Sequence, residues 1–558
     1  MSLFGGLYVG TSGLQTSQNA LNTVAHNMVN VDTEGFTRQQ ISQTDRVYNT
    51  LSKTGSAVSY QQIGLGVKYA EVKQVRDYFL DKSYRREAGR SGFYDITCDA
   101  IEEAEEIFQE LDGEAFANTI DNLWVSVQEL SKDPSNTVNQ GVLVQRCAEF
   151  ITRARAVYEN LSEYQDDLNL IVKQKVDAMN DLGDRIRDLN ERILKIESGQ
   201  VEHANDLRDE RNKLIDELST YGNISVNTDV DGNYIIQMEG VDFITVGDVK
   251  KIGLYTDTLT GFYTPYWVNL AVVDPVTKQV DPASLPSARV TDLTLEISTD
   301  INTDIGALKS ALLARGDKRA TFDDVLNTAA YDDVKDSICM NIMAEFDQLV
   351  HDVTSGINEI LQQACYKYYG VDTAADPLAA LQALTPAPTY LVDPETNAPY
   401  QMFVVSSNEK SLASGNWKDD YNTMNILIND TIKQAPSLLG FIRPDGIVDQ
   451  ECANNLKTLF AEETHTLNPE VKTTTNLATY YNNLISQVAN TGYVMRGIST
   501  TQQVTVDNIE AARQQIVGVS SDEELSNMIM FQNAYNASSR YINVVSEMLE
   551  HIINTLAI

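Results

Sequence analysis

Residues able to make or break bonds are few in this 558-residue chain, and their spacing does not gather them. None of His203, His351, His465 and His551 has a second histidine four residues away, so the paired ligands of a helix-borne zinc peptidase site are missing. His26 lies in a helix-like stretch with no Cys or acidic residue at ligand spacing, and it reads as a packed or interfacial side chain. The cysteines Cys98, Cys147, Cys339, Cys365 and Cys452 are odd in number, far apart and never in a CxxC pair. That fits neither a disulfide framework nor a zinc site, and small buried apolar positions suit them better. Asp229 and Asp231 precede Gly232, but the ligand spacing and closing Glu of a calcium loop are absent, so a hairpin turn is expected. There is no GxSxG, no phosphate loop and no GxGxxG before a helix. The reading is of a protein without catalytic site, cofactor or metal.

The chemistry that remains is that of association. Residues 1–31 contain no Lys, Arg, Asp or Glu, in a chain of formal net charge -37. Leu3, Leu7, Leu14, Leu21, Val24, Met28 and Val31, with Gly10 and Ser17 filling the gaps, step by four and three. That alternation predicts a coiled-coil seam, with small residues admitting a partner backbone. Gly5, Gly6, Gly10 and Gly13 weaken the helix, which should not hold alone in water. The same step recurs at the other end, in Met528, Phe531, Tyr535, Ser538, Ile542, Val545, Leu549, Ile552 and Leu556. The two ends are therefore expected to pack together. The uncharged outer face of the first should then be buried against further copies of the chain.

Composition narrows the partners. With 42 basic against 79 acidic residues, nucleic acid and anionic membrane surfaces are excluded. No run approaches the roughly 18 apolar residues of a membrane span. The N-terminus lacks the basic start and continuous apolar block of a cleavable secretory signal.

Taken in order, residues 1–40 form an axial coiled-coil segment closed by turn-forming residues. A helical domain over 41–223 follows, its helix signals resuming near Val75 after a polar stretch with Gly55, Gly64 and Gly66. Ile101, Ala104, Ile107, Phe108 and Leu111 keep helical spacing, and Asp133-Pro134 predicts a break. From Leu161 the pattern tightens into a long hairpin turning at Gly199. Residues 224–304 read as a β-rich insertion with its own core, marked by prolines 265, 275, 282 and 286. Helix returns over 305–363, a second insertion occupies 364–455, helix resumes over 456–524, and a C-terminal axial segment closes the chain at 525–558. The fold class is mainly α with β-rich insertions: terminal coiled-coil segments, a long α-helical hairpin or bundle, and outer β or α+β domains.

Asn30-Val31-Asp32-Thr33-Glu34-Gly35-Phe36-Thr37-Arg38, following an uncharged helix, resembles the signature of the bacterial flagellar axial proteins, which comprise rod, hook and hook-associated proteins. Asp32 departs from the Asn or Ala more usual there. Gly35 would allow a tight turn, Phe36 would anchor it, and Arg38 would offer a fork of donors. Leu207 to Ser219 resembles the long-helix motif of the hook-associated branch, and Gly306 to Leu313 its re-entry into the helical domain. Gly518 to Leu525, with Phe531–Tyr535 and Ser539–Ile542, resembles the family's C-terminal signature. The resemblance implies a structural subunit at the junction of hook and filament, self-associating and touching the hook protein and a hook-associated neighbour on the filament side. It also implies export through the flagellar type III channel to an extracellular position, with a chaperone holding the C-terminal helix beforehand. The expected assembly interface is Leu7, Leu14, Leu21, Val24, Met28, Asn30, Thr33, Gly35, Phe36 and Arg38 on one side. On the other it is Tyr535, Ile542, Val545, Leu549, Ile552 and Leu556. A hook or distal rod protein, or a displayed binding or hydrolytic module in an insertion, is the alternative; the long hairpin argues against the first two.

Overall fold

The computed structural model describes residues 3–46, 49–53, 60–109, 116–199, 203–229, 232–274, 280–394, 396–405 and 421–556. Gly55, Leu111, Asp231 and Pro275 lie outside them, as do the side chains of Leu3 and Leu556.

Helix α1 (Leu3–Val29) leads into four short strands, β1 (Gln39–Asp45), β2 (Asn49–Lys53), β3 (Tyr60–Ile63) and β4 (Val67–Gln74). β1 pairs antiparallel with β4, from Gln39↔Gln74 to Asp45↔Val67, and β2 pairs with β3. The polar stretch after α1 is thus a β arm. The helical part follows with α2 (Tyr78–Gln109), α3 (Phe116–Lys132), α4 (Thr137–Glu197) and α5 (Asn205–Tyr221). The break at Asp133-Pro134 falls between α3 and α4, where the Asn136 side chain caps α4 by accepting from Val138 N. α4 has 61 residues and is therefore roughly 90 Å long.

Next come β5 (Ile224–Thr228), β6 (Tyr234–Met238) and β7 (Val241–Ile244) in one antiparallel sheet, and β8 (Ile252–Thr256) with β9 (Tyr263–Trp267) in another. Thr228 lies opposite Tyr234, and Asn233 N donates to Asp229 Oδ1 at 2.8 Å, so Asp229 belongs to a hairpin turn. The chain continues through α6 (Leu285–Ala288), α7 (Ala307–Arg315), α8 (Thr328–Asp332), α9 (Ile338–Tyr369) and α10 (Pro377–Gln382). A small antiparallel pair, β10 (Phe403–Val405) and β11 (Ile426–Ile428), precedes α11 (Asp430–Gln434) and α12 (Gln450–Ala461). Two long helices finish the fold, α13 (Leu477–Val517) and α14 (Ser521–Leu556).

Two cores lie along α4. Its first half sends Leu143, Val144, Phe150, Val157 and Leu161 into a cluster with α3, α9, α12 and the start of α13. There the rings of Phe108, Phe116, Phe346 and Tyr481 meet edge to face or tilted, with centroids 4.9 to 6.4 Å apart. Its second half sends Val172, Val176, Met179, Leu182 and Ile186 into a cluster with α5, α7 and the strands.

The second cluster corrects one expectation. Val226, Ile236, Met238, Phe243 and Trp267 are buried against α4 and α5, so the 224–304 strands have no core of their own. Each two- or three-stranded sheet is too small to bury a face by itself, and the long helix supplies the other side. Residues 364–455 divide: Met402, Phe403, Tyr421, Ile426 and Phe441 are fully buried in the first cluster, against α9 and α4, while Leu381 and Val392 pack with Cys365 in a smaller cluster of their own. Residues 406–420 of that insertion lie outside those described. The cysteines are free; four are buried, Cys98 is half-buried, and burial pushes the Cys339 and Cys365 thiols up to about 12.

Candidate assembly interface

α1 and α14 lie side by side and antiparallel. A Cβ on Gly6 would meet Tyr541 and Val545, on Gly10 Ile542 Cγ1 at 2.6 Å, and on Gly13 Ser538 Oγ at 2.7 Å. Glycine is required at Gly10 because the Ile542 side chain occupies the space a Cβ would take, and at Gly13 a Cβ would displace the Ser538 hydroxyl. The buried line on α1 is Gly6, Gly10, Ser17, Ala20, Val24 and Asn27. Leu7, Leu14, Leu21 and Met28 are half-buried and flank it. The three-four spacing therefore holds, and Gly10, Ser17 and Val24 of the expected line are buried, but Gly6, Ala20 and Asn27 take the places of Leu7, Leu21 and Met28, so the seam is turned by about half a residue, roughly 50° of helix. Close backbone approach across small residues explains the turn, with the leucines closing over its sides.

On α14, Phe531, Tyr535, Ser538, Ile542 and Leu549 are half-buried and Val545 is buried; Ile552 is exposed. α14 starts at Ser521, with Asp522, Glu523 and Glu524 in its first turn, where carboxylates suit the positive helix end.

The segment after α1 clamps this pair to the helical part. Asn30 Nδ2 donates to His26 O at 3.0 Å, Thr33 Oγ1 donates to Asn30 Oδ1 at 3.1 Å, and Phe36 N donates to Thr33 O at 3.2 Å. Gly35, at φ +82°, makes this tight turn possible. The Phe36 ring meets His26 edge-on at 5.4 Å. Arg38 donates through Nη1 and Nη2 to both oxygens of Glu523, at 3.1 and 2.9 Å, and through Nε to Glu524 Oε1 at 2.8 Å. Partial burial opposes the Arg38 charge, but the two carboxylates outweigh it and hold the guanidinium above its ordinary value. Its backbone N–H donates to Val517 O at 2.8 Å, so the same residue braces the break between α13 and α14. Thr37 N donates to Asp209 Oδ2 at 3.1 Å; burial outweighs that bond and nearby Arg76, pushing the Asp209 carboxyl up to about 6.

Some members of the interface escape sequence reasoning. Asn27 is 1% exposed, its side chain donating to Gln39 O at 2.8 Å and accepting from Gln39 N at 3.0 Å. Ser12 Oγ accepts from Val67 N at 3.3 Å. Both tie α1 to the β arm. Helical spacing cannot distinguish them from the polar residues of the outer face, because only the placement of the strands gives them partners.

These features define a structural subunit of the flagellar axial class, whose two ends form one helical unit. Residues 7–37 match the family model "Flagella basal body rod protein", and 510–555 match "Flagellar basal body rod FlgEFG protein C-terminal". Residues 101–370 match "Flagellar hook-associated protein FlgK helical domain". Flagellar hook-associated protein 1 of Bacillus subtilis is 25% identical over 561 residues, covering 100% of this chain and 99% of its own. That of Escherichia coli is 20% identical, covering 97% and 98%. The structure of the flagellar hook junction protein FlgK from Burkholderia pseudomallei superimposes with a TM-score of 0.51 at 11% identity, over 80% of this chain and 100% of its own, and shows the shared fold. The helical-domain model and the full-length similarity together support a flagellar hook-associated protein 1 of the hook–filament junction.

Proposed function

We propose that the protein is built into the flagellum between hook and filament as a ring or tube of copies, held by the paired terminal helices. The observation that carries this is the α1–α14 pair. Its inner seam is closed within one chain, while the exposed line Phe4, Tyr8, Thr11, Gln15, Gln18, Asn22, Ala25 and Val29 keeps the same three-four step without a charge. Such a face is suited to contact with further helices, and a second copy supplies them. The hook protein on one side and a hook-associated neighbour on the other are the partners this position demands. α14 also presents Val544 and Met548 outward at helical spacing, 46 and 52% exposed. That line supports capture of the C-terminal helix by an export chaperone before assembly.

Leu549→Asp tests the reading in cells whose own copy is replaced. A charge placed in the half-buried seam has no partner. Electron microscopy should show hooks without filaments, while the helical middle of the purified variant, away from the α1–α14 pair, unfolds like that of the parent. Normal filaments in that strain would remove α14 from the assembly contact.

A further inference from the structure

Helix α13 has 41 residues, of which Arg496, Asp507, Glu510 and Arg513 are charged. Three of the four turn toward neighbours. Arg496 reaches Glu105 of α2 at 3.2 Å, Arg513 reaches Asp216 of α5 at 2.6 Å, and Glu510 forms an ion pair with Arg513 at 2.8 Å. Asp507 is the charged residue among the exposed positions of α13, and it accepts from Gln503 at 2.9 Å. The rest of the outer surface is Asn, Ser, Thr, Gln, Gly, Ala, Val, Ile and Tyr. Within it, Asn490, Val494, Gly497, Thr501, Val504 and Asn508 are all exposed and step by four and three. A Cβ on Gly497 would meet nothing within 4 Å, so the line is open along its middle.

A solvated helix of this chain looks different. The exposed positions of α4 include Glu163, Asp166, Asp167, Lys173, Asp177 and Asp181. Each copy carries a formal charge of -37, so faces like that of α4 repel one another when two copies approach. A charge-free face removes the nearest part of that repulsion. The exposed line of α1 has the same makeup and the same step. The two surfaces are also connected, because α13 ends at Val517, whose carbonyl accepts from Arg38 N beside the α1–α14 pair.

We infer that the outer line of α13 is a lateral contact with a second copy of this chain. It extends into the helical domain the self-association that begins on α1, and it rests on the assembly reading given above. Placing the photoreactive residue p-benzoylphenylalanine at Val504, Gln15 or Asp181 of the full chain, in cells that assemble flagella, tests it. Irradiation should join two copies from position 504 and from position 15, giving a product of twice the 62.0 kDa chain, and should join none from position 181 on α4. Val494→Glu combined with Thr501→Glu should lower the yield from position 504 at least about tenfold while the monomer unfolds as before. A product from position 15 without one from 504, or a product between 504 and a different protein, overturns the α13 contact and leaves the assembly reading standing. Failure at both positions overturns both. Equal yield from 504 and 181 shows random collision and overturns the α13 contact as well.

Discussion

Gly10 shows at the scale of one residue how this interface differs from an ordinary leucine seam. Replacing it with Ala improves intrinsic helix propensity by about 1 kcal/mol. The added methyl would lie 2.6 Å from Ile542 Cγ1, an overlap that costs about 1–3 kcal/mol in a packed contact. Gly10→Ala should therefore reduce incorporation onto hooks, counted by electron microscopy, although α1 alone becomes a better helix. Glu345 makes a different point in the first core. It is fully buried and accepts from Asn468 Nδ2 at 2.6 Å and from Gln487 Nε2 at 3.1 Å. Burial, only partly offset by those bonds, pushes its carboxyl up to about 7. The folded state then holds this proton more tightly than the unfolded chain. Its contribution is fully present below about pH 4.5 and is lost as pH rises through about 7, an effect of about 3 kcal/mol. Glu345→Gln should flatten urea stability between pH 5 and 8 and raise it at pH 8. Asn468 keeps its oxygen on the N–H groups of Glu470 and Val471, and the Gln487 amide can turn its oxygen toward the new donor.

At the scale of elements, α4 decides what unfolds together. Its second half shares one core with β5–β9, and Trp267 is fully buried there against Phe243, with ring centroids 5.7 Å apart. Trp267→Ala should cost about 3–5 kcal/mol. Amide exchange should accelerate in α4 over 172–190 as well as in β8 and β9. Protection lost in the strands alone would restore the picture of a separate insertion.

For the whole molecule the controlling quantity is charge. A formal -37 per copy keeps monomers apart, and the long charge-free lines on α1 and α13 are the places where close approach costs least. Gln15, Gln18 and Asn22 are all exposed, on the side of α1 away from α14. Changing the three to Glu should leave the monomer's circular dichroism and unfolding unaltered and abolish junction assembly. If the triple variant still builds filaments, that face is solvated in the flagellum.

The residues themselves declare two uncharged or apolar helical lines at the chain ends, the turn at Gly35, the break at Asp133-Pro134 and the start of strand at 224. Each is set by neighbours in the chain: periodicity, a glycine at positive φ, a proline that cannot continue a helix. Which line of α1 becomes the seam is decided elsewhere. Gly10, Ser17 and Val24 can be completed by the leucines on one side or by Gly6, Gly13 and Ala20 on the other, and only the side chains of α14, supplied from more than 500 residues away, select the small residues. The same holds for Asn27, which needs Gln39 beside it, and for Arg38, whose carboxylates come from Glu523 and Glu524. The insertions were visible as interruptions of helical pattern but not as parts of shared cores. Burial of a small sheet is settled by whichever large helix lies next to it, and chain order does not state that.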